Sequence, residues 1–447
     1  MIPPKPPSRP GKVSLWRYAR LFRQDILSAQ PERLYRAWMA EFRTPFFRSF
    51  LLNQPDLVAT VLKERPRDFP KSGRIGEGLR PLLGNSVFLT NGETWQRQRR
   101  IIDPAFEGGR LRDTYPAMVD AAKSAVARLE PGVTEIEAVT SHAAADVIFR
   151  TLFSIPIDAP VAAQVFTRFR DYQRSQPILN LAAFLPLPRW VPRFHRRGTR
   201  AAAREIRTLI TGLVEERRQE IVAGTAPDDL ATKIMTTRDP LTGAGFEAQE
   251  MVDQVAIFFL AGHETSASAL AWTLYLLALF PDWQERVAEE AAAADLSDFS
   301  AVSRLKIARD VFREALRLYP PVPMMVREAT CPEHFRDREV PKGSQMVISP
   351  WHLHRHARLW DDPDGFDPAR WETENGRTCQ REAYVPFSAG ARVCTGAGFA
   401  MVEGPLLLAM LVREFRFRRA EGRDPVPVAH LTVRAKDGIW LEVERRG

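Results

Sequence analysis

Cys394 is the cysteine of this sequence whose surroundings most favour chemistry. It lies near the end of residues 387–396, FSAGARVCTG, a glycine-punctuated loop that leads into an apolar, helix-like stretch. A helix N-terminus and the guanidinium of Arg392 both favour thiolate over thiol, and the thiolate is the form that ligates iron or attacks an electrophile. A lone cysteine is more often an inert, small hydrophobic side chain, and we expect that role for Cys331 and Cys379. The loop makes Cys394 the exception.

Glu264 and Thr265 form a polar pair inside an apolar stretch, residues 251–280. A buried carboxylate is costly unless it is paired or hydrated, and a threonine hydroxyl can bond an upstream carbonyl, a water or a ligand. Gly262 weakens a helix by about 1 kcal/mol relative to alanine and, with Ala261, leaves a bare surface on which a flat group could lie. The residues alone leave two interpretations open: a glycine-softened helix with a salt-bridged glutamate, or a functional site.

Two further pairs have helical spacing. Glu314 and Arg317 lie on one helix face and can form an ion pair, which is a common surface motif. Trp95 and Arg99 can present an indole N–H and a guanidinium side by side to an anion. A tryptophan packed on an arginine stem is the more frequent arrangement for such a pair.

Three histidines, His352, His354 and His356, would share one face of an extended segment and could suggest a metal site. Arg355 lies among them, and neither a carboxylate nor a cysteine is close in the sequence. We therefore expect no metal at these histidines.

Helices must position most of these residues. Apolar residues recur with helical spacing in residues 117–129, 199–221, 250–280, 283–294, 308–319 and 398–415. As a helix, residues 251–280 would run about 45 Å, and their polar residues favour a helix buried in a soluble core over a membrane span. Strand-like segments are short: residues 46–52, residues 346–349, and a C-terminal hairpin that pairs 431–433 with 440–443. The sequence predicts a mainly helical fold with a minor β part.

The composition excludes several classes of protein. With 447 residues, 45% hydrophobic and 26% charged, the chain is not disordered, collagen-like or a disulfide-stapled miniprotein. We predict a single domain over residues 1–447, with a proline-rich segment at 1–11, because no repeat or linker divides the chain. Three cysteines suit a reducing cytosol, so we expect a cytoplasmic protein.

The charge balance points to acidic partners. The formal net charge is +8 and the pI is near 9.6, but no nucleic-acid motif accompanies the basic residues, so we expect no nucleic-acid binding. We also expect no signal peptide and no transmembrane anchor. Residues 12–27 are basic and partly apolar, which favours a docked helix over a membrane-surface helix.

Taken in order, these residues resemble the cytochrome P450 family of haem-thiolate monooxygenases, from about Trp95 to the C-terminus. The loop matches each fixed position of the family's haem-binding signature, at Phe387, Gly390, Arg392, Cys394 and Gly396. Further motifs are matched by Ala261, Gly262, Glu264 and Thr265 (oxygen activation), by Glu314 and Arg317 (Glu-x-x-Arg), and by residues 366–371 with Arg370 (the meander). Trp371 and Ser266 depart from the residues most common in the family.

The resemblance implies the cytochrome P450 fold, with haem b between the long central helix and the cysteine loop. Cys394 would be the proximal iron ligand, and thiolate ligation favours O–O cleavage. The haem propionates would be held by Trp95, Arg99, Arg327 and Arg392, and further cofactor contacts would come from Ala261, Gly262, Phe387, Gly390 and Gly396. Glu314, Arg317 and Arg370 would form a structural triad. Glu264 and Thr265 would deliver protons for oxygen activation, which decides between the two interpretations of that pair.

The implied reaction inserts one oxygen atom from O2 into a hydrophobic substrate. Electrons would come from an external ferredoxin or flavodoxin with its reductase, and we expect the enzyme to be a monomer. Five basic residues would dock that partner electrostatically: Arg97, Arg99, Arg100, Arg110 and Arg112. The alternative is that these residues form a solvated helix face. Substrate contacts are predicted at Val87, Phe88, Val322, Met324, Met325 and Val433, with a flexible mouth over residues 178–192.

Two other functions stay open. One is a haem-thiolate enzyme that uses peroxide or rearranges its substrate, and the other is a noncatalytic haem-binding sensor. The Glu264–Thr265 pair favours the monooxygenase, because family members that bypass dioxygen chemistry commonly lack it.

Overall fold

The computed structural model describes residues 1–9, 11–44, 47–175, 197–429 and 431–447, so the predicted mouth at 178–192 lies outside the described residues. Contacts within the chain cluster in two compact units. Unit 1 comprises Met1–Pro70, Ala122–Ser141 and Thr265–Gly447, and unit 2 comprises Lys71–Ala121 and His142–Glu264. A single domain over residues 1–447 stays a prediction.

The described residues are mainly helical. The α-helices are α1 Leu15–Gln24, α2 Pro55–Ala59, α3 Gly73–Leu83, α4 Gly92–Ile102, α5 Gly108–Arg128, α6 Ile136–Phe153, α7 Pro160–Ser175, α8 Arg197–Ala223, α9 Leu230–Thr236, α10 Ala248–Leu279, α11 Pro281–Ala293, α12 Ala301–Arg304, α13 Lys306–Leu318, α14 Pro350–Leu353, α15 Glu374–Glu382 and α16 Ala397–Glu414. The strands are β1 Met39–Arg43, β2 Arg48–Leu52, β3 Gly132–Glu135, β4 Met325–Glu328, β5 Glu333–Phe335, β6 Arg338–Val340, β7 Gln345–Ile348, β8 Phe415–Arg419, β9 Pro427–Ala429, β10 Val433–Ala435 and β11 Trp440–Arg445.

Each of the six predicted helical stretches forms a helix. The largest difference is at α5, which begins at Gly108 although the apolar pattern predicted a start at 117, because its first turns are polar. Residues 12–27 contain α1, whose N-terminus is capped by the Ser14 hydroxyl. None of the described helices combines the length and apolarity that a membrane crossing requires.

The largest sheet of unit 1 has the strand order β1-β2-β7-β4. β2 runs antiparallel to β1 and parallel to β7, and β7 runs antiparallel to β4. The predicted strand at 346–349 is β7. The sheet holds Arg327, on β4, opposite Met346 in this register.

The predicted C-terminal hairpin is wrong. β10 pairs with β9, whereas β11 pairs with β3 and β8, so the turn at Asp437-Gly438 joins strands of two different sheets. Nearby partners hold β10 in place, since the Val433 N–H donates to Pro321 O and the Ser268 hydroxyl donates to Val433 O. Such long-range partners are not visible in local alternation.

The helix that follows the cysteine loop, α16, lies in the core of unit 1. It packs against α11 and α13, and most of its residues from Phe399 to Val412 are buried. Gly404 faces the ring of Phe312 on α13, so a side chain at that position would clash with the ring. This close approach packs the middle of α16, the helix that follows the cysteine loop, against α13, which carries Glu314.

Candidate functional site

The cysteine loop presents an exposed thiol at the head of a buried helix. Cys394 is exposed, and α16 begins three residues later with Gly396 at its N-cap. The Cys394 N–H donates to Phe387 O at 2.9 Å, which closes the loop, and a 3-10 turn at Gly390–Arg392 precedes the cysteine. The positive end of the helix dipole therefore lies beside the sulfur, where it favours the thiolate.

Glycine is required at one point of this loop. Gly390 has φ +67°, and a Cβ there would collide with the carbonyl of Leu62. A Cβ at Gly396 would lie 4.0 Å from Cys394 Sγ, which is an ordinary contact distance, so the structure does not require glycine at that position. The loop conformation thus depends on one of the glycines that the signature fixes.

The other two cysteines differ from Cys394. Cys379 is buried, and burial raises the pKa of its thiol to about 11. Cys331 is not the apolar side chain that we expected: its thiol donates to Glu333 at 3.2 Å, and this hydrogen bond to a carboxylate raises its pKa. Its thiol lies in a cluster with Asp68, and Arg65 pairs with both carboxylates of this group.

Glu314, Arg317 and Arg370 are brought together in the interior of unit 1. The Glu314 carboxylate accepts two hydrogen bonds from Arg317, at 2.9 and 2.8 Å, and one from Arg370 Nε at 2.8 Å. The remaining guanidinium N–H groups donate to backbone carbonyls, including Gly365 O at 2.7 Å from Arg317. The triad therefore ties α13 to the meander through fully satisfied charges.

Arg327 is a buried guanidinium, and within the described residues it has neither an ion pair nor a hydrogen bond. Its exposed fraction is 4%. Burial lowers its pKa to about 10, with no carboxylate to oppose the effect. A buried cation without an anion is costly, so this part of β4 fits an anionic group from outside the chain, such as a cofactor carboxylate.

Trp95 and Arg99 lie together on α4 in unit 2. The guanidinium lies 5.9 Å from the indole centroid, and Arg99 forms an ion pair with Asp103 at 2.7 Å. Burial raises the pKa of Asp103. Arg99 therefore already has a carboxylate partner, which the i, i+4 spacing of the tryptophan and arginine did not reveal.

Arg392 lies in unit 1, where it is half-buried in the turn before Cys394.

Two polar residues in the middle of α10, His263 and Glu264, contact side chains on α7. Glu264 accepts a hydrogen bond of 2.9 Å from the Gln173 amide on α7, and His263 makes an edge contact with the ring of Phe166. The expected bare surface is only partly present. Ala261 is exposed, but a Cβ at Gly262 would collide with Ile148 on α6. Gly262 thus permits close helix packing within unit 2, and Ala261 alone presents an open surface.

Sequence reasoning missed Glu403. This carboxyl is buried on α16 and accepts a hydrogen bond of 2.8 Å from the Ser266 hydroxyl, next to the half-buried Thr265. Burial raises its pKa to about 8, and its Oε1 has no hydrogen-bond partner. The sequence contains a signal for this residue, because Glu403 interrupts an apolar, helix-like stretch as Glu264 does.

The predicted substrate contacts occur in both units. In unit 2, Val87 and Phe88 are half-buried; the Val87 N–H donates to Gln254 Oε1 at 2.9 Å, and the ammonium of Lys71 lies over the Phe88 ring. In unit 1, three of the predicted residues are half-buried: Val322, Met324 and Met325. Val433 is fully buried.

The three histidines have separate environments. His352 lies 2.8 Å from the Ser349 hydroxyl, His354 accepts the Val385 N–H, and His356 stacks on Trp38. Burial lowers the pKa of both His352 and His354 to about 3, so these two rings are neutral. The segment is a short helix and turn, and the rings do not share a face.

The basic cluster on and after α4 is largely neutralised. Within unit 2, Arg97 pairs with Glu250 at 2.7 Å, and Arg100 pairs with Asp239 at 2.6 Å. Arg110 pairs with Asp228 at 2.8 Å. These carboxylates are distant in sequence, so the charge count around α4 overstated the positive field available to an acidic partner.

Comparisons with known proteins agree with this geometry. The cytochrome P450 family model matches residues 31–442. The chain is 34% identical to a cyclooctat-9-en-7-ol 5-monooxygenase of Streptomyces melanosporofaciens, covering 86% of this chain and 83% of that protein. It is 29% identical to a cytokinin hydroxylase of Arabidopsis thaliana, covering 87% and 77%. A crystal structure of the cytochrome P450DA heme domain has the same fold, with a TM-score of 0.78, 24% identity and coverage of 100% and 98%. The chain therefore belongs to the cytochrome P450 family of haem-thiolate monooxygenases.

Proposed function

We propose that the cofactor is haem b and that Cys394 is its proximal ligand. The single observation that carries this proposal is the exposed Cys394 thiol at the N-terminal end of buried α16. When bound, the haem supplies the iron at which dioxygen is activated, and thiolate ligation favours O–O cleavage. The unpartnered Arg327 supports a cofactor that carries carboxylates.

The propionates would be held by Trp95, Arg99, Arg327 and Arg392. Arginine suits this role because its guanidinium binds a carboxylate through two parallel hydrogen bonds. Arg99 would share its guanidinium between a propionate and Asp103, whose ion pair holds the side chain in place.

Glu264 and Thr265 would handle the protons that oxygen activation consumes. The Gln173 amide donates to Glu264 Oε2 at 2.9 Å, and this partner supports a role for the carboxylate in accepting and releasing a proton beside the next residue. The Thr265 hydroxyl would orient the water that receives this proton. This assignment explains why a carboxylate is retained in the middle of a buried helix.

The substrate would be a hydrophobic small molecule. The named activities of the relatives, on cyclooctat-9-en-7-ol and on cytokinin, are both oxidations of small organic molecules. Contacts with the substrate would come from Val87, Phe88, Val322, Met324, Met325 and Val433. Electrons would come from an external ferredoxin or flavodoxin with its reductase, and the enzyme would work as a cytoplasmic monomer.

Isotope labelling tests the reaction. A hydrophobic compound that changes the absorption spectrum of the ferric protein is turned over under ¹⁸O2 with a surrogate ferredoxin and its reductase. The proposal predicts one ¹⁸O atom per product molecule. Label that enters only from H2¹⁸O2 without a reductant would indicate the peroxide-using alternative, and an unlabelled isomer would indicate rearrangement. Spectral binding without any product across the compounds would favour the sensor.

A further inference from the structure

A groove of about 370 Å³ lies in unit 2 where α3 and α8 pack together, near the start of α10. It is lined by Pro81, Arg200, Arg204, Arg207, Thr208, Thr211 and Gln249. The arginines recur at the spacing that puts residues on one face of α8. Among the described residues that line the groove there is no carboxylate. The lining is therefore cationic and rich in hydrogen-bond donors.

Arg207 is held rigidly at the base of this groove. Its guanidinium donates to Leu82 O at 2.8 Å and to Asp253 Oδ1 at 2.6 Å. Asp253 is itself buried and accepts the Asn85 N–H at 2.7 Å, so the carboxylate is fixed from a second side. Two of the guanidinium nitrogens are thus anchored, so the position of this group in the groove lining is set before any ligand binds.

Arg204 supplies positive charge that the described part of the chain does not balance. Its side chain is exposed, and no ion pair or hydrogen bond joins it to another described residue. The adjacent carboxylate, Glu205, pairs with Arg168 on α7 at 3.1 Å instead. Because Asp253 balances Arg207 alone, the groove keeps a net positive charge.

We infer that this groove binds a phosphate group through Arg204 and Arg207, with Arg200 and the Thr208 hydroxyl as further donors. Guanidiniums that line one groove can together bind the several oxygens of phosphate, and the volume is within the range of small-molecule sites, so a phosphate ester fits as well as the free ion. The phosphate can belong to a small molecule or to a lipid headgroup. The inference does not depend on the haem or on the monooxygenase reaction.

The test titrates inorganic phosphate into the haem-loaded full-length protein by calorimetry at constant ionic strength, with chloride as the balancing anion. The expected result is saturable binding that weakens at least tenfold in Arg204→Gln, an exposed position where folding is not at risk. Arg218→Gln is the matched control, because it removes the same charge from the same helix at an ion pair with Glu215. Saturable binding that is equal in both variants would overturn the inference.

A second measurement distinguishes the two sources of phosphate. The protein is sedimented with phosphatidylcholine vesicles that do or do not contain phosphatidic acid. Sedimentation that needs phosphatidic acid and Arg204 would support the site and identify a lipid headgroup. Binding of inorganic phosphate without sedimentation would support the site and identify a soluble phosphate compound. Binding of neither would overturn the inference.

Discussion

Ser266 on α10 donates a hydrogen bond of 2.8 Å to the carboxyl of Glu403 on α16. This contact joins the helix that carries Thr265 to the helix that follows Cys394. Glu403 is buried, its second oxygen has no partner, and its pKa is raised to about 8 because burial penalises the charged form. The proton on this carboxyl therefore contributes to the stability of unit 1, and that contribution depends on pH.

Replacing Glu403 by glutamine is expected to flatten the pH dependence of stability. The pKa rises from 4.5 in the unfolded chain to about 8 in the folded one, so the folded state binds the proton more tightly. Its stabilising effect is complete below the unfolded value and is lost as pH rises through the folded value, at up to about 1.4 kcal/mol per pH unit. Urea unfolding between about pH 5 and 8 measures the slope for the wild type and Glu403→Gln. Glu421→Gln, in an exposed turn, is the control, and a slope that is the same in both variants would contradict the assignment.

Removing the shared carboxylate of the triad is expected to be severely destabilising. Glu314→Ala leaves Arg317 and Arg370 buried without an anion, which costs roughly 3–5 kcal/mol. Glu215→Ala breaks a Glu–Arg pair of the same i, i+3 spacing on the exposed face of α8 and should change stability little. Chemical denaturation compares the two variants. A similar loss of stability in the two variants would contradict the prediction, because it would mean that burial does not set the cost of removing the triad carboxylate.

Gly390→Ala is expected to disrupt the cysteine loop. The added methyl group meets the Leu62 carbonyl and the residue keeps a left-handed backbone. Gly422→Ala is a matched control, because Gly422 has nearly the same φ, +68°, with open space around the added atom. In both variants the backbone strain of alanine at a positive φ costs of order 1–3 kcal/mol, whereas the clash with a carbonyl occurs only in Gly390→Ala. Haem content after purification should fall in Gly390→Ala and not in Gly422→Ala, and equal retention would contradict the prediction.

Thr265→Ala is expected to uncouple electron use from product formation. Without the hydroxyl, proton delivery is misdirected and reducing equivalents leave as hydrogen peroxide, so product formed per electron pair should fall severalfold. Thr273→Ala is the control, since Thr273 lies on the same helix and its hydroxyl donates to Ala269 O at 2.6 Å. Peroxide and product are measured together, and Thr265→Ser should restore coupling. Unchanged coupling in Thr265→Ala would refute this role.

Local patterns in the sequence predicted the helices and the residues that stand out from them. The apolar periodicity predicted α10 and α16, and the polar residues that interrupt α10 identified Glu264. Glu403 interrupts the apolar pattern of α16 in the same way. Partners distant in the chain were not predictable in this way. Gln173 on Glu264 and Asp103 on Arg99 depend on how helices pack and turn, and the sheet of β11 depends on strands far from it in sequence.

The distribution of charge in the folded protein also depends on partners that are distant in the chain. The sequence shows five arginines near α4 but not that Glu250, Asp239 and Asp228 come back to meet them. Conversely, nothing in the sequence distinguishes Arg204 and Arg207 from the other lysines and arginines of a chain that has 63 of them. The fold shows that both line one groove and that their positive charge is not fully balanced there. The net charge of a segment predicts the electrostatic field at its surface only when the ion pairs within the chain are known.

The role of Cys394 as the iron ligand is tested by the absorption spectrum of the dithionite-reduced, carbon monoxide-bound protein for the wild type, Cys394→Ala and Cys379→Ala. Cys379 is the buried cysteine, so its replacement controls for the loss of a thiol. We expect a strongly red-shifted Soret band in the wild type and in Cys379→Ala, and the loss of this band in Cys394→Ala. A red-shifted band that survives in Cys394→Ala would contradict the assignment of the iron ligand.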